Sequence, residues 1–107
     1  MPVYNKLVRD FIPRIIEERG KEPKTKILNK EEYHKELRNK LQEEISEYLE
    51  AGNDADAVEE QADALEVITA LAGKHGVSME QLEQVKKEKS DTRGAFNERV
   101  FLVQVEE

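Results

Sequence analysis

The sequence predicts an all-α protein, and three observations support this prediction. Hydrophobic residues make up 37% and charged residues 38%, a balance typical of helices with narrow apolar stripes. Between residues 30 and 51, apolar side chains recur at helical spacing, among them Leu37, Leu41 and Ile45. Between residues 62 and 73, the sequence is apolar except at Asp63, Glu66 and Thr69.

Start and stop signals predict four helices, over about residues 11–19, 30–51, 55–74 and 79–89. A short turn joins the two long helices, so we expect them to form an antiparallel pair. The second long helix is apolar nearly all round, which predicts that it is buried at the centre of a bundle. The tail at residues 99–105 alternates β-branched and other residues. It is typical of a short C-terminal strand, paired within the chain or with a second subunit.

Length and charge limit the classes of function. A chain of 107 residues suits a single domain over residues 1–107. The net charge of −7 argues against a nucleic-acid-binding protein. No run approaches the roughly 20 apolar residues of a membrane span, and the start has no apolar core typical of a signal peptide. We therefore expect a cytoplasmic protein with no membrane or nucleic-acid partner.

Two acidic pairs lie on the two long helices. On the first, Glu44 falls at about −20° from Leu37, within the apolar stripe, and Glu47 lies one turn further along. On the second, Glu60 and Asp63 have the same i,i+3 spacing, so each pair projects from one face. A tight turn would place Glu44 level with Asp63, and Glu47 level with Glu60. Four carboxylates would then converge.

Clustered carboxylates repel one another, and removing them from water costs several kcal/mol unless a counter-charge is present. A hard divalent cation with oxygen ligands, Mg²⁺ or Mn²⁺, would supply that charge. The alternative is that the glutamates are solvated, or pair with Lys35, Arg38 or Lys40. We favour the metal site because the two pairs lie at matched levels and one pair begins an almost apolar segment.

The acidic pattern resembles the E-x-x-E … E-x-x-D metal signature of the MazG-like nucleoside triphosphate pyrophosphohydrolases. Its two parts are EEISE at 43–47 and EEQADALEV at 59–67. The opening YNKLVRDFIPRII at 4–16 resembles the start of a small subgroup close to phosphoribosyl-ATP pyrophosphohydrolase. KSDTRGAF at 89–96 is similar to the K-x-x-x-R-G-x-F segment near the end of such chains.

The resemblance implies a MazG-like helical bundle that a second or further subunits complete, as a homodimer or homotetramer. It implies Mg²⁺-dependent hydrolysis of a nucleoside triphosphate between the α and β phosphates, giving a monophosphate and pyrophosphate. Housecleaning of non-standard nucleotides is a further implication. The metal-ligand and catalytic positions that match are Glu44, Glu47, Glu60 and Asp63. This chain departs from the subgroup at Phe11, where a lysine is frequent, and at Ala95, where a second glycine is usual.

Basic residues near the end of the chain are candidates for binding the β and γ phosphates. They are Lys86, Lys89 and Arg93. A basic end to a helix is also favoured by the helix dipole, so the residues alone leave both interpretations open. The resemblance favours phosphate binding by Lys89 and Arg93. Lys6 and Arg9 are further candidates of the same kind.

Two other functions fit parts of the pattern. A carboxylate-bridged iron site needs Glu-x-x-His on two helices, and Glu31 with His34 matches once, whereas His75 completes no second match. A non-enzymatic helical interaction protein would use its apolar stripes for association only. Such a protein has no reason to gain thermal stability from Mg²⁺ and a non-hydrolysable nucleotide, whereas the proposed enzyme does.

Overall fold

The computed structural model describes residues 2–106. In this part of the chain it contains four helices and no strand, which confirms the all-α prediction. The helices are α1 (Ile12–Glu18), α2 (Lys30–Glu50), α3 (Asp54–Lys74) and α4 (Met79–Arg93). None of them is both long enough and apolar enough to cross a membrane.

The two long helices, α2 and α3, form a hairpin with the largest helix–helix contact in the structure. Asn29 caps α2, because its side chain accepts a hydrogen bond from the Glu32 N–H at 2.9 Å. Asn53 caps α3 in the same way, accepting from the Asp56 N–H at 2.9 Å. The connection is only residues 51–53, so the end of α2 and the start of α3 lie side by side.

The last helix, α4, follows α3 through a turn at Gly76, whose φ of 77° suits glycine. Ser78 and Gln81 then form a capping box at the start of α4. The helix ends at Arg93, further along the chain than predicted, so the first part of the predicted loop is helical. Gly94 ends it with φ 85° and ψ 169°, a region that is almost restricted to glycine.

The core of a single chain is small. Its buried apolar residues are Leu37 on α2 and Val67 and Ala72 on α3. The prediction that α3 is buried at the centre of a bundle is wrong for one chain, because Leu65 is 50% exposed and Val58 is 60% exposed. α2 covers one side of α3, and α4 contacts it near Thr69, whose hydroxyl lies 3.4 Å from Met79 Sδ.

Neither α1 nor the C-terminal tail adds to the core of the hairpin. α1 packs against none of the other three helices. Residues 99–105 do not form the predicted strand, because no partner strand lies beside them in the described part of the chain. Phe101 is accordingly 87% exposed. The radius of gyration is 18.3 Å, against about 13 Å for a compact domain of this length.

Candidate active site

Three glutamates from the hairpin meet on one side of it, and we call them the glutamate cluster: Glu44, Glu47 and Glu60. One carboxylate oxygen from each lies within 4.8 Å of the others. Glu44 is buried, with 4% of its surface exposed. Glu60 is half-buried and Glu47 is exposed. The structure thus brings together three of the four acidic residues in the predicted site.

Asp63 is not in the cluster. The prediction placed the centre of the turn between Asn53 and Asp54, with Glu47 level with Glu60 and Glu44 level with Asp63. In the structure α3 begins at Asp54, so the connection is residues 51–53. Glu60 meets both glutamates of α2, Glu44 and Glu47, whereas Asp63 lies one turn further along α3.

Two carboxylate oxygens of the cluster are buried and have no hydrogen-bond partner in the described part of the chain. They are Glu44 Oε2 and Glu60 Oε2. The other oxygen of Glu44, Oε1, lies 3.4 Å from Lys40 Nζ. The ion pair with lysine that we considered as the alternative therefore accounts for only part of the cluster. A buried acceptor without a partner costs free energy. A cation between the glutamates would remove this cost, so the donor set fits a divalent metal ion.

The glutamates also perturb one another's protonation. The pKa of Glu60 is raised to about 7, first by a hydrogen bond shared with Glu47, then by burial and by Glu44. Burial raises the pKa of Glu44, and the negative charge of Glu47 adds to this. Without a metal, the cluster therefore retains a proton up to about neutral pH.

Asp63 has a different partner, Arg9 from the irregular segment before α1. The Arg9 Nη2 donates a hydrogen bond to Asp63 Oδ1 at 2.6 Å, and its Nη1 lies 3.4 Å from Glu66 Oε1. The sequence indicates Arg9 as a phosphate-binding candidate and Asp63 as a metal ligand, but it does not indicate that the two residues pair. The pair spans a long stretch of sequence, and no local pattern indicates it.

Lysines lie beside the cluster on α2 and in the N-terminal segment. Lys40 Nζ is 3.5 Å from Glu43 Oε2 as well as close to Glu44. Lys6 Nζ lies 4.0 Å from Glu43 Oε1. Glu43 is therefore engaged by two lysines and lies next to the cluster in sequence without belonging to it.

The predicted phosphate-binding residues lie on α4. Lys86, Lys89 and Arg93 are all exposed. Between Pro2 and Glu106, no ion pair links any of them to the glutamate cluster. Their spacing of i, i+3 and i+7 places them on one face of α4. The unexpected length of α4 is what puts Arg93 on this helical face.

An open cleft with a volume of about 570 Å³ lies apart from the glutamate cluster. Glu31, His34 and Arg38 of α2 line it, together with Lys74 of α3. The pKa of His34 is lowered there by burial and by the positive charge of Lys74. Glu31 and His34, the residues of the iron hypothesis, thus line a different cleft. The candidate metal-binding group among the described residues contains no histidine.

A comparison with protein families decides the class of protein. The model of the phosphoribosyl-ATP pyrophosphohydrolase family matches residues 8–90, which include α2, α3 and the whole glutamate cluster. The chain belongs to this family. It is a family of the MazG-like nucleoside triphosphate pyrophosphohydrolase superfamily, so the resemblance seen in the sequence is confirmed. No curated protein and no solved structure matches the chain.

Membership of the phosphoribosyl-ATP pyrophosphohydrolase family establishes the general chemistry. The family consists of pyrophosphohydrolases, which are hydrolases of acid anhydrides, and it implies a nucleotide substrate. Its members generally depend on a metal ion. The glutamate cluster provides a group of oxygen ligands on which such an ion could bind.

Proposed function

We propose that this protein is a Mg²⁺-dependent nucleoside triphosphate pyrophosphohydrolase, with Mn²⁺ able to replace Mg²⁺. It cleaves between the α and β phosphates and releases a nucleoside monophosphate and pyrophosphate. The observation that supports this most strongly is the buried Glu44, whose Oε2 is unpaired and lies in a group with Glu47 and Glu60. In a family of pyrophosphohydrolases, such a group suits a hard divalent cation.

Under this proposal, Glu44, Glu47 and Glu60 hold the ion, with Asp63 as a fourth ligand one turn beyond Glu60 on α3. When bound, the ion supplies positive charge against the triphosphate and makes the attacking water more acidic. The chain's own contribution is to fix the carboxylates on two capped helices, so that they need not be gathered for each reaction. Glu60 would hold the ion as the carboxylate, so its proton would pass to solvent.

The β and γ phosphates would be bound by Lys86, Lys89 and Arg93. Their position on one face of α4 supports this role, because a row of cations matches a row of phosphate groups. In a single chain this row makes no ion pair with the glutamate cluster. These basic residues would therefore contact the far end of a triphosphate that extends from the cluster, or they would come from α4 of a second copy.

The protein would act as a homodimer or homotetramer. An apolar stripe on α3 supports association, because Val58, Ala62 and Leu65 recur at i, i+4 and i+7 and all are exposed. Leu49 on α2 is 76% exposed as well. A soluble chain of this size buries too little apolar surface alone, and a second copy would cover these residues.

The substrates would be non-standard nucleoside triphosphates, in a housecleaning role that rests on the subgroup resemblance. A panel of standard and modified nucleotides, incubated with Mg²⁺, tests the reaction when products are scored as pyrophosphate or orthophosphate. We expect pyrophosphate and a nucleoside monophosphate, with the highest kcat/KM on a modified base. Release of orthophosphate alone would place cleavage at the γ phosphate and overturn the proposal.

A second function, that of a non-enzymatic helical interaction protein, is favoured by the exposed apolar stripe and tail. The two functions differ in their response to ligand. An enzyme of the proposed kind gains thermal stability from Mg²⁺ with a non-hydrolysable triphosphate, because both bind the folded state. An interaction protein shows no such gain.

A further inference from the structure

Arg9 forms an ion pair with Asp63, the acidic residue that the proposed site needs as its fourth ligand. Its guanidinium donates to Asp63 Oδ1 at 2.6 Å and reaches Glu66 Oε1 at 3.4 Å. A carboxylate oxygen that accepts so short a charge-assisted hydrogen bond is not available to a metal ion in the same geometry. Arg9 and a cation therefore compete for this oxygen, Asp63 Oδ1.

The segment that carries Arg9 lies before α1, which packs against none of the other helices. Its ion pairs to α2 and α3 are those of Arg9 and the longer 4.0 Å contact of Lys6 with Glu43. The side chains of Arg9 and Asp63 are 52% and 39% exposed. A pair this exposed contributes little to stability, so it can be exchanged for another partner at small cost.

Charge balance gives a reason for the contact. Without a metal, the cations of Lys40 and Arg9 lie against Glu44 and Asp63 and offset part of the negative charge of the hairpin. The pKa of Arg9 is raised by Asp63 first, and Glu66 and Glu44 add to this, so the guanidinium interacts with the cluster as well as with its direct partner. A bound dication would replace this compensation and repel the guanidinium.

We propose that Arg9 is a displaceable counter-ion of Asp63, which leaves when a divalent cation binds and then binds a phosphate group of the substrate. This inference rests on the proposed function. Arg9 is then a substrate-binding residue. In the metal-free protein it pairs with Asp63, the proposed fourth ligand. The inference also predicts that metal and triphosphate bind cooperatively, because the metal releases the Arg9 guanidinium, which then binds the triphosphate.

Titration calorimetry with Mn²⁺ alone, without nucleotide, tests the competition. Arg9→Gln removes the competing charge, and Arg14→Gln is the matched control. Arg14 lies nearby on α1 and contacts the Phe11 ring, with its Cζ 4.6 Å from the ring centroid. We expect Arg9→Gln to bind Mn²⁺ about two- to fivefold more tightly than Arg14→Gln, the range for loss of an exposed ion pair. Equal or weaker binding by Arg9→Gln would overturn the inference.

A second measurement follows the release of Arg9 directly. The side-chain Nε–H signals of the arginines are recorded by NMR while Mg²⁺ is added, and the Arg9 signal is identified by its loss in Arg9→Gln. We expect Mg²⁺ to shift the Arg9 signal and leave that of Arg14 in place. An Arg9 signal that is unchanged at saturating Mg²⁺ would contradict displacement.

The phosphate step has its own test, the affinity for a non-hydrolysable triphosphate at saturating Mn²⁺. Arg9→Gln should weaken this binding by about tenfold relative to Arg14→Gln, since it removes a charge-assisted hydrogen bond. Equal affinity would overturn the phosphate role. Failure of the proposed function looks different, because the wild-type protein would then bind no Mn²⁺ at all.

Discussion

The α2–α3 hairpin and the α4–tail region differ in how completely one chain builds them. The hairpin is capped at the start of both helices and contains all four buried residues of the described chain, including Glu44. α4 has no buried residue, and Phe101 in the tail is 87% exposed. The glutamate cluster is thus formed within the chain, whereas the basic face of α4 and the apolar tail are exposed there.

The two regions lose stability for different reasons, and in each the loss concerns residues with a proposed function. In the hairpin, a buried carboxylate and unpaired oxygens reduce the stability of the metal-free fold. In α4 and the tail, exposed apolar side chains and a basic face leave stabilising contacts unmade until something binds. Ligands and partner subunits should therefore stabilise the two regions by different means, and variants can separate them.

The largest effect should come from the hairpin. Glu44→Gln removes the buried charge while keeping the shape, and we expect Mg²⁺-stimulated pyrophosphate release to fall by at least about a hundredfold, since even indirect metal contacts are worth this much. Helical circular dichroism should be retained. Glu50→Gln, on the exposed last turn of α2, is the matched control and should keep full activity. Full activity in Glu44→Gln would remove the glutamate cluster from the mechanism.

On the outer face of α3, Leu65→Lys should weaken self-association by at least about tenfold. A leucine that is half exposed in one chain would be covered in the assembly, and each subunit of a symmetric dimer loses the contact. Sedimentation velocity over a range of concentrations measures this. Glu59→Gln, which changes the net charge by the same +1 at an exposed position on α3, is the control. An unchanged association constant would mean that this stripe is not the interface.

In α4, the basic face can be tested with two lysines that point in different directions. Lys89→Gln should weaken binding of a non-hydrolysable triphosphate by about tenfold, because it removes a charge-assisted contact. Lys87 pairs with Asp91 at 2.7 Å and lies off the basic face, so Lys87→Gln should change the affinity much less. Equal losses in both variants would indicate a general charge effect rather than a defined phosphate site.

The smallest effect is the pH dependence of the metal-free hairpin. The pKa of Glu60 is about 7 in the folded protein against its ordinary 4.5, so the folded state binds this proton more tightly than the unfolded state. Its effect is to make the free energy of unfolding decrease as pH rises from about 4.5 to about 7. In EDTA, the melting temperature should fall over this range, and fall less in Glu60→Gln. If the melting temperatures of the wild type and of Glu60→Gln change equally over this pH range, the raised pKa of Glu60 is contradicted.

Local signals in the sequence predicted much of this fold, because caps and apolar spacing act over a few residues. Asn29, Asn53 and Ser78 each mark a helix start that the structure shows. The convergence of Glu44, Glu47 and Glu60 followed from the hairpin alone. The absence of Asp63 from this group was not predicted, because no local signal fixes the length of the turn.

Two features were beyond the reach of sequence patterns. The pairing of Arg9 with Asp63 joins distant parts of the chain, and a lone arginine carries no information about which carboxylate it will contact. The exposure of Leu65 depends on how many helices surround α3, which a pattern of apolar residues does not state. Sequence spacing therefore predicted which residues share a face, but not what covers that face.

Diffraction from a crystal containing Mn²⁺, collected to record the anomalous signal of manganese, would locate the bound ion itself. We expect an anomalous peak at coordination distance from the carboxylates of Glu44, Glu47 and Glu60, with Asp63 turned toward it and away from Arg9. A well-ordered cluster with no peak, or a peak bound only by other residues, would contradict this expectation.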